Sequence, residues 1–468
     1  MGGEIGGSPK KVLHVLAKSV PELNGYSIRG HELITAQMRT RVVDPLVLTS
    51  PYYPDLTAMG ERVTVDGVRY LRSMPIGEGR FSPLGMRLLS LRGLGEDRDS
   101  GGTNQKNRET SGRGRLFRIG RFLSYPLRAY ISYIDERLRM GYFKEVIKEV
   151  IAEENPDIVH AHTPFKVGLP AMKAARESGK PFVYEVRGLW EESAIVRGKF
   201  SKWGMRYWRF RKLEERTMIG ADAVFCISEK VKSDLIGRGV QEEKIVTIPN
   251  GAPSAYLSGN MDGREKLGAN EERHLTVLEE IGRKKKVIGY MGNIQQYEGL
   301  EILIRSIKQI LARGDKVHLL IVSNDGNIGF LKSLSEKEGI DSDCTIIGPI
   351  SRQGVPHFYN CMDLVVIPRL GNSRMAELVT PLKPLEALAL GIPLVISDTP
   401  AIREIVSVER ATLFESGNLA DLSEKITRVL ADDEGGLDKA EKGKKWVLEN
   451  ATWEISAQKT IEAYGKLL

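Results

Sequence analysis

Cysteine is scarce in this chain: Cys226, Cys344 and Cys361 are the only three in 468 residues, widely spaced and in apolar surroundings. That excludes a disulfide framework, offers no metal-ligand spacing and suits a reducing compartment. No apolar run is long enough to cross a bilayer, so no transmembrane helix is expected. The opening MGGEIGGSPKK lacks the apolar core of a secretory signal, and MGGEIG lacks the Ser or Thr of a myristoylation site. Also missing are a P-loop, a Gly-x-Gly-x-x-Gly turn and a Gly-x-Ser-x-Gly elbow. These absences weigh against an NTPase, a dehydrogenase and an α/β-hydrolase. The expected location is the cytoplasm.

What is present is a globular composition, 41% hydrophobic and 28% charged, in a chain long enough for two domains. The net charge of +7 hints at an anionic partner, phosphates or a lipid surface. Short apolar runs such as Val12–Leu16, Asp157–His162, Pro181–Arg187 and Ala223–Ser228 alternate with helix-length segments, and the rhythm restarts at Lys286. Such alternation predicts an α/β protein with two doubly wound, Rossmann-like domains. Residues 1–255 read as the first domain and 256–284 as a linker. Residues 285–445 read as the second domain and 446–468 as a helix crossing back. Residues 93–115, nearly devoid of apolar side chains, read as a disordered insertion. Two stretches mix basic and aromatic residues, 115–145 and 199–216. They fit a membrane interface or a core helix with a basic rim.

Ligands of doubly wound domains belong at the carboxyl ends of the strands. Four such loops carry polar residues. The first holds Gly25, where a backbone can approach a ligand, and Tyr26. The second holds His160 and His162, which share a face if both are in the strand; if the strand stops earlier, His162 is free to enter the cleft. The third holds Glu185 and Arg187, either a site pair or a salt bridge. The fourth gathers Gly292 to Gly299, Arg369 and the stretch ELVTPLKPLEALALGIPLVISD, residues 377–398. Within that stretch a short helix opens with Lys383 and Glu386 beside unpaired N–H groups. A cation there suits phosphate, and a carboxylate one turn in suits a pair of sugar hydroxyls.

With these residues in place, PLKPLEALALGIPLVISD resembles the donor-site signature of the retaining glycosyltransferases of family 4, which have the GT-B fold. The resemblance extends to Asn24-Gly25-Tyr26, Asp157 to His162, Tyr184 to Gly188 and Pro249-Asn250-Gly251, and is strongest with a subgroup of bacterial exopolysaccharide and exosortase systems. It implies that Glu386 holds the donor ribose, that backbone around Pro381-Leu382-Lys383 cradles the diphosphate and sugar, and that His162 sits near the transferred sugar. It places Gly25 at the donor phosphates and acceptor. Two departures stand out. Glu377 and Glu386 have eight residues between them instead of the usual seven, and Asn293 and Glu298 stand where an Arg and a Lys are common. Lys383 is then the expected source of positive charge, with Arg369, Arg374 and Arg187 behind it.

The implied activity is transfer of a sugar, with retention, from a nucleotide diphosphate sugar to an acceptor hydroxyl. Catalytic roles fall to His162, Lys383 and Glu377. Donor contacts fall to Gly25, Gly292, Asn293, Arg369, Leu382, Lys383 and Glu386, and the acceptor side to Tyr26, Glu185 and Arg187. Neither metal nor cofactor is expected; the nucleotide sugar is a co-substrate. The expected partners are that donor, a carbohydrate or lipid-linked acceptor, and the inner membrane face, with no nucleic acid. The rival readings are a sugar-nucleotide 2-epimerase of the same fold and a binding subunit without catalysis.

Overall fold

A computed structural model of the chain describes residues 8–22, 24–52, 62–73, 114–253, 256, 264–324, 328–432 and 435–468, with side chains left aside over 114–131. The stretch read as a disordered insertion falls outside them except for its last two residues, which open the long helix Gly114–Glu154.

Runs of Val, Ile and Leu buried on both faces make the strands. The first sheet contains β1 (Lys10–Leu16), β2 (Val43–Thr49), β3 (Arg62–Val65), β4 (Val68–Arg72), β5 (Ile158–His162), β6 (Phe182–Val186), β7 (Ala223–Cys226) and β8 (Ile245–Thr247), in the order β3-β4-β2-β1-β5-β6-β7-β8. The second contains β9 (Lys286–Met291), β10 (Val317–Val322), β11 (Cys344–Ile347), β12 (Leu364–Ile367), β13 (Leu394–Asp398) and β14 (Thr412–Glu415), in the order β11-β10-β9-β12-β13-β14. The pairs are parallel apart from the β3–β4 hairpin. Its turn, Asp66-Gly67, has φ of 48° and 84°, the left-handed values a tight hairpin demands. Helices cover both faces. Leu300–Ala312, for example, buries Leu300, Leu303, Ile304, Ile307 and Ile310 along one stripe. The α/β architecture of two Rossmann-like sheets is the one expected.

Each sheet reverses its strand order beside its first strand, β1 next to β5 and β9 next to β12. Those reversals open crevices at the strand ends, the usual ligand positions in open α/β sheets.

The loops beyond the two crevices meet. Ser228 Oγ donates to the Leu378 carbonyl at 3.1 Å. The Glu404 carboxylate accepts from the Glu229 and Lys230 amides, both at 2.8 Å, at the start of the helix Glu229–Gly237. The positive end of that helix favours such an anion. The chain then returns: the helix Trp453–Gly465 packs on the helix Gly25–Arg39, with Gln37 Nε2 donating to Thr460 Oγ1 at 2.7 Å.

Two stretches differ from their sequence reading. About half of the span read as a linker is a helix, Ala269–Gly282, whose Leu275 and Leu278 enter the second core. The end of the chain is two helices, Gly436–Asn450 and Trp453–Gly465, parted at Ala451–Thr452.

Candidate active site

On the first domain's side, everything converges on one carboxylate. Glu185 lies on β6, fully buried, and His162 on β5 is its register partner. His162 Nδ1 stands 2.5 Å from Glu185 Oε2, and His162 Nε2 is 3.1 Å from His14 Nδ1 on β1. His160, two residues back and stacked on His162 at 4.3 Å, shares a hydrogen bond with the Tyr464 hydroxyl at 2.6 Å. The two histidines do share a face, but β5 runs through His162, and both rings are wholly buried. The alternative in which the strand stops short and His162 swings into the cleft is therefore corrected.

Two guanidiniums complete the cluster. Arg29, on the helix Gly25–Arg39, donates to Glu185 Oε1 at 2.5 Å and to Asn250 Oδ1 at 2.8 Å. Asn250 Nδ2 in turn donates to the Thr380 carbonyl at 2.8 Å, tying the cluster to the other domain. Arg187 donates to Glu185 Oε2 at 3.3 Å and to the Tyr26 carbonyl at 2.9 Å, and its guanidinium lies 4.9 Å from the Tyr26 ring centre. Burial pushes the Glu185 pKa up, but Arg187 and Arg29 outweigh it and hold the group well below the usual carboxylate range. Burial pushes the three histidines well below their usual value, so their rings are neutral.

His14, His160 and His162 have the mutual spacing of a metal triad. Their surroundings argue against one: His14 Nδ1 and His162 Nε2 are turned on each other and His160 Nδ1 on Tyr464, and although His14 Nε2 and His160 Nε2 lack a hydrogen-bond partner, two guanidiniums already outnumber the single carboxylate. A dication would enter a site with surplus positive charge. The Glu185–Arg187 pair thus follows the salt-bridge reading as well as standing at the strand end.

On the second domain's side, the centre is Lys383, first residue of the helix Lys383–Ala389. Its Nζ is 2.7 Å from Glu298 Oε2 and 4.8 Å from the centre of the Tyr290 ring. Gly292 makes room for it. A Cβ there would fall 2.1 Å from Lys383 Cε, and φ is +143°, which L side chains rarely adopt. The side chain keeps 15% of its surface open, enough to be reached from the cleft. Burial lowers the Lys383 pKa against the pull of Glu298. Glu298, pushed up by its own burial, is brought below its usual value by Lys383 and Arg369. Glu386, one turn on, takes a hydrogen bond from the Tyr359 hydroxyl at 3.1 Å, and burial raises its pKa.

Three expectations change here. Lys383 has a carboxylate partner, so it brings no unopposed charge. Arg369 donates to the Val379 carbonyl at 2.8 Å and lies 5.1 Å from the Tyr297 ring centre, holding the loop before Lys383. Arg374 pairs with Asp234 and Glu192 of the first domain. Glu377 and Asn293 are exposed, Leu382 is half-buried before Lys383, and Gly25 is exposed with nothing within 4 Å of an added Cβ. Lys383, Glu386, Gly292 and Arg369 come together on one side; His162, Glu185, Arg187 and Tyr26 come together on the other. The sequence reading assigned no role to His14 or Arg29. The one signal available was a histidine inside the apolar strand Lys10–Leu16, and it does not say what the ring meets.

Glu185, Arg187 and His162 of the first cluster and Lys383, Glu386 and Glu298 of the second fall within the residues matched by two family models. The one described as Glycosyl transferases group 1 matches residues 285–432, and Glycosyltransferase Family 4 matches residues 108–255. The chain belongs to the family 4-like glycosyltransferases. The capsular polysaccharide biosynthesis glycosyltransferase CapM of Staphylococcus aureus is 27% identical over 300 residues, covering 62% of this glycosyltransferase and 72% of CapM. Among solved structures, sucrose-phosphate synthase from Thermosynechococcus elongatus superposes with a TM-score of 0.67 at 16% identity, covering 98% of this chain and 99% of that one. HepE of Anabaena, solved with UDP, superposes with a TM-score of 0.62 at 15% identity, covering 97% and 100%. These likenesses place the glycosyltransferase in the GT-B fold.

Proposed function

We propose that this glycosyltransferase moves a hexose from a nucleotide diphosphate sugar to an acceptor hydroxyl with retention of configuration, in the synthesis of a polysaccharide or glycolipid. One observation carries the reading: Lys383 sits at the β9–β12 crevice, largely buried yet reachable, with Glu386 one turn behind it. A diphosphate in the cleft meets Lys383 Nζ with Glu298 and Arg369 behind it. The three side chains sum to one positive charge, a steady bias toward an anion. Glu386 is placed for ribose hydroxyls. HepE was solved with UDP, with UDP and glucose, and with UDP-glucose, which supports a uridine donor here. The name of CapM supports a capsular or similar polysaccharide product.

Among the described residues the carboxylate beside Lys383 is Glu298, already paired with it, so retention is best served by front-face attack, the departing diphosphate helping to take the acceptor proton. The protein then works by positioning and by stabilising the leaving charge. His162, neutral and closed to solvent, serves as a positioning residue for Glu185 and not as a group that touches the sugar.

Thermal shift against a panel of nucleotide diphosphate sugars tests the donor. One or more should raise the melting temperature, and Lys383→Ala should weaken the donor affinity read from that response by about thirtyfold, the loss of one charge-assisted hydrogen bond. A Lys383→Ala chain with unchanged donor affinity and turnover would remove the assignment. Incubation with donor alone separates transfer from epimerisation, because only an epimerase converts the sugar nucleotide without an acceptor.

A further inference from the structure

The stretch from Arg197 to Lys212, RGKFSKWGMRYWRFRK, has seven Lys and Arg and no Asp or Glu. Its apolar residues do not all go inward. Trp203 is 83% exposed and Met205 89%. Such values are rare for large apolar side chains that adjoin one another, and they mark a surface built to meet something. The backbone holds them out. A hydrogen-bonded turn, Gly204 N to Ser201 O at 2.9 Å, puts Lys202 and Trp203 at its tip, and Met205 begins the helix Met205–Ile219. Trp208, three residues on and 44% exposed, shares the face of Met205, with Lys212 one turn further. Lys202, Arg206 and Lys212 are exposed around these residues.

The same segment is anchored firmly beneath. Tyr207 is buried and donates to Glu192 at 2.7 Å on the helix Trp190–Val196, whose Trp190 ring meets Tyr26 edge-on at 6.0 Å. Arg209 pairs with Glu136 and lies over the half-exposed Tyr133 of the long helix. The exposed tryptophan is thus one short helix away from the Tyr26–Arg187 side of the cleft.

We propose that this turn and the first half of the helix that follows dock the enzyme on an anionic phospholipid surface. Trp203 and Met205 enter the headgroup–acyl boundary, and Lys202, Arg206 and Lys212 meet the phosphates. Charge complementarity chooses this occupant: the exposed cations Lys202, Arg206 and Lys212 beside an exposed tryptophan match a lipid interface, whereas protein interfaces are depleted of lysine. Docking there would bring the cleft mouth beside the membrane, so a lipid-linked acceptor could enter; that consequence alone rests on the glycosyl-transfer reading.

The test is co-sedimentation of the full chain with phosphatidylcholine vesicles, with and without phosphatidylglycerol. The wild type should pellet with the anionic vesicles and be released by salt. Lys202→Gln and Arg206→Gln should each weaken binding about fivefold. Trp203→Ser with Met205→Ser should abolish it, while the melting temperature stays unchanged because both side chains are exposed. A wild-type chain left in the supernatant overturns the proposal, as does undiminished binding by the double variant. So does self-association that Trp203→Ser disrupts while vesicles bind nothing, since the occupant is then a protein. A thermal shift against the panel of nucleotide diphosphate sugars on the same samples reads the donor assignment separately: vesicle binding without any shift supports docking and removes the donor.

Discussion

The two walls of the cleft solve opposite electrostatic problems. In the first domain a single carboxylate, Glu185, is surrounded by two guanidiniums and a histidine, all closed to solvent. In the second a single ammonium, Lys383, leans on one carboxylate and keeps part of its surface open. A cluster closed to solvent, its charges paired within the fold, is a scaffold. It fixes Arg187 under Tyr26 and, through Arg29 and Asn250, positions the Thr380 carbonyl three residues before Lys383. A half-open pair is a receiver. Its lysine is held in place by Glu298 until a stronger anion arrives. The difference assigns stability to the first wall and donor binding to the second.

Glu185→Gln is the sharpest way to break that division. It leaves Arg29 and Arg187 buried without a counter-charge, which should cost about 3–5 kcal/mol of folding stability. Chemical denaturation measures it. If the variant is as stable as the wild type but loses donor binding, the first wall is a receiver after all.

A second buried carboxylate in the same domain provides an internal control. Glu214, on the helix Met205–Ile219, accepts from the Phe165 amide at 2.7 Å and the Tyr184 hydroxyl at 2.5 Å. Unlike Glu185 it takes no hydrogen bond from a guanidinium among the described residues. Burial, with Glu191 nearby, pushes its pKa up to about 8. Between its ordinary 4.5 and about 8 the folded chain keeps a proton that the unfolded chain has released. Stability from this group is therefore greatest below that window and falls as pH rises through it. The slope is about 1.4 kcal/mol per pH unit at most. Glu214→Gln should flatten the slope by that amount in denaturation series across the window. An unchanged slope would mean that Glu214 is ionised in the folded chain.

The comparison also explains which parts could be read from sequence. The strands were legible because parallel strands buried on both faces are short apolar runs, and Val12–Leu16 or Leu364–Ile367 fit little else. Gly292 and Lys383 were legible as strand-end residues. Their contact was not, because Glu298, the partner of Lys383, lies 85 residues earlier and reads as an exposed acid before a glycine. His14 and Arg29 escaped for a related reason. Each sits inside a regular element, where nothing local says that the polar end turns inward toward Glu185. The helix Ala269–Gly282 was obscured by charge: Leu275 and Leu278 are its only deeply buried apolar side chains, among four Glu and an Arg. Pairing across the fold decides a buried charge, and sequence spacing does not carry it.

The smallest expected effect on stability isolates the ligand. Gly25 opens the helix Gly25–Arg39 behind the Asn24 cap, whose side chain accepts from the Ser27 amide at 2.9 Å. Its φ lies outside the left-handed region and an added Cβ meets nothing within 4 Å, so the free protein makes no demand for glycine there. Gly25→Ala should therefore change folding stability by less than about 0.5 kcal/mol, the ordinary range for a surface substitution. If glycine serves close approach of a donor or acceptor to the backbone, the same methyl should lower kcat/KM clearly. A silent melting curve with reduced turnover would assign Gly25 to the receiver's side of the cleft although it belongs to the scaffold's domain. Unchanged turnover would leave the β1 loop as scaffold and confine substrate recognition to Lys383 and its neighbours.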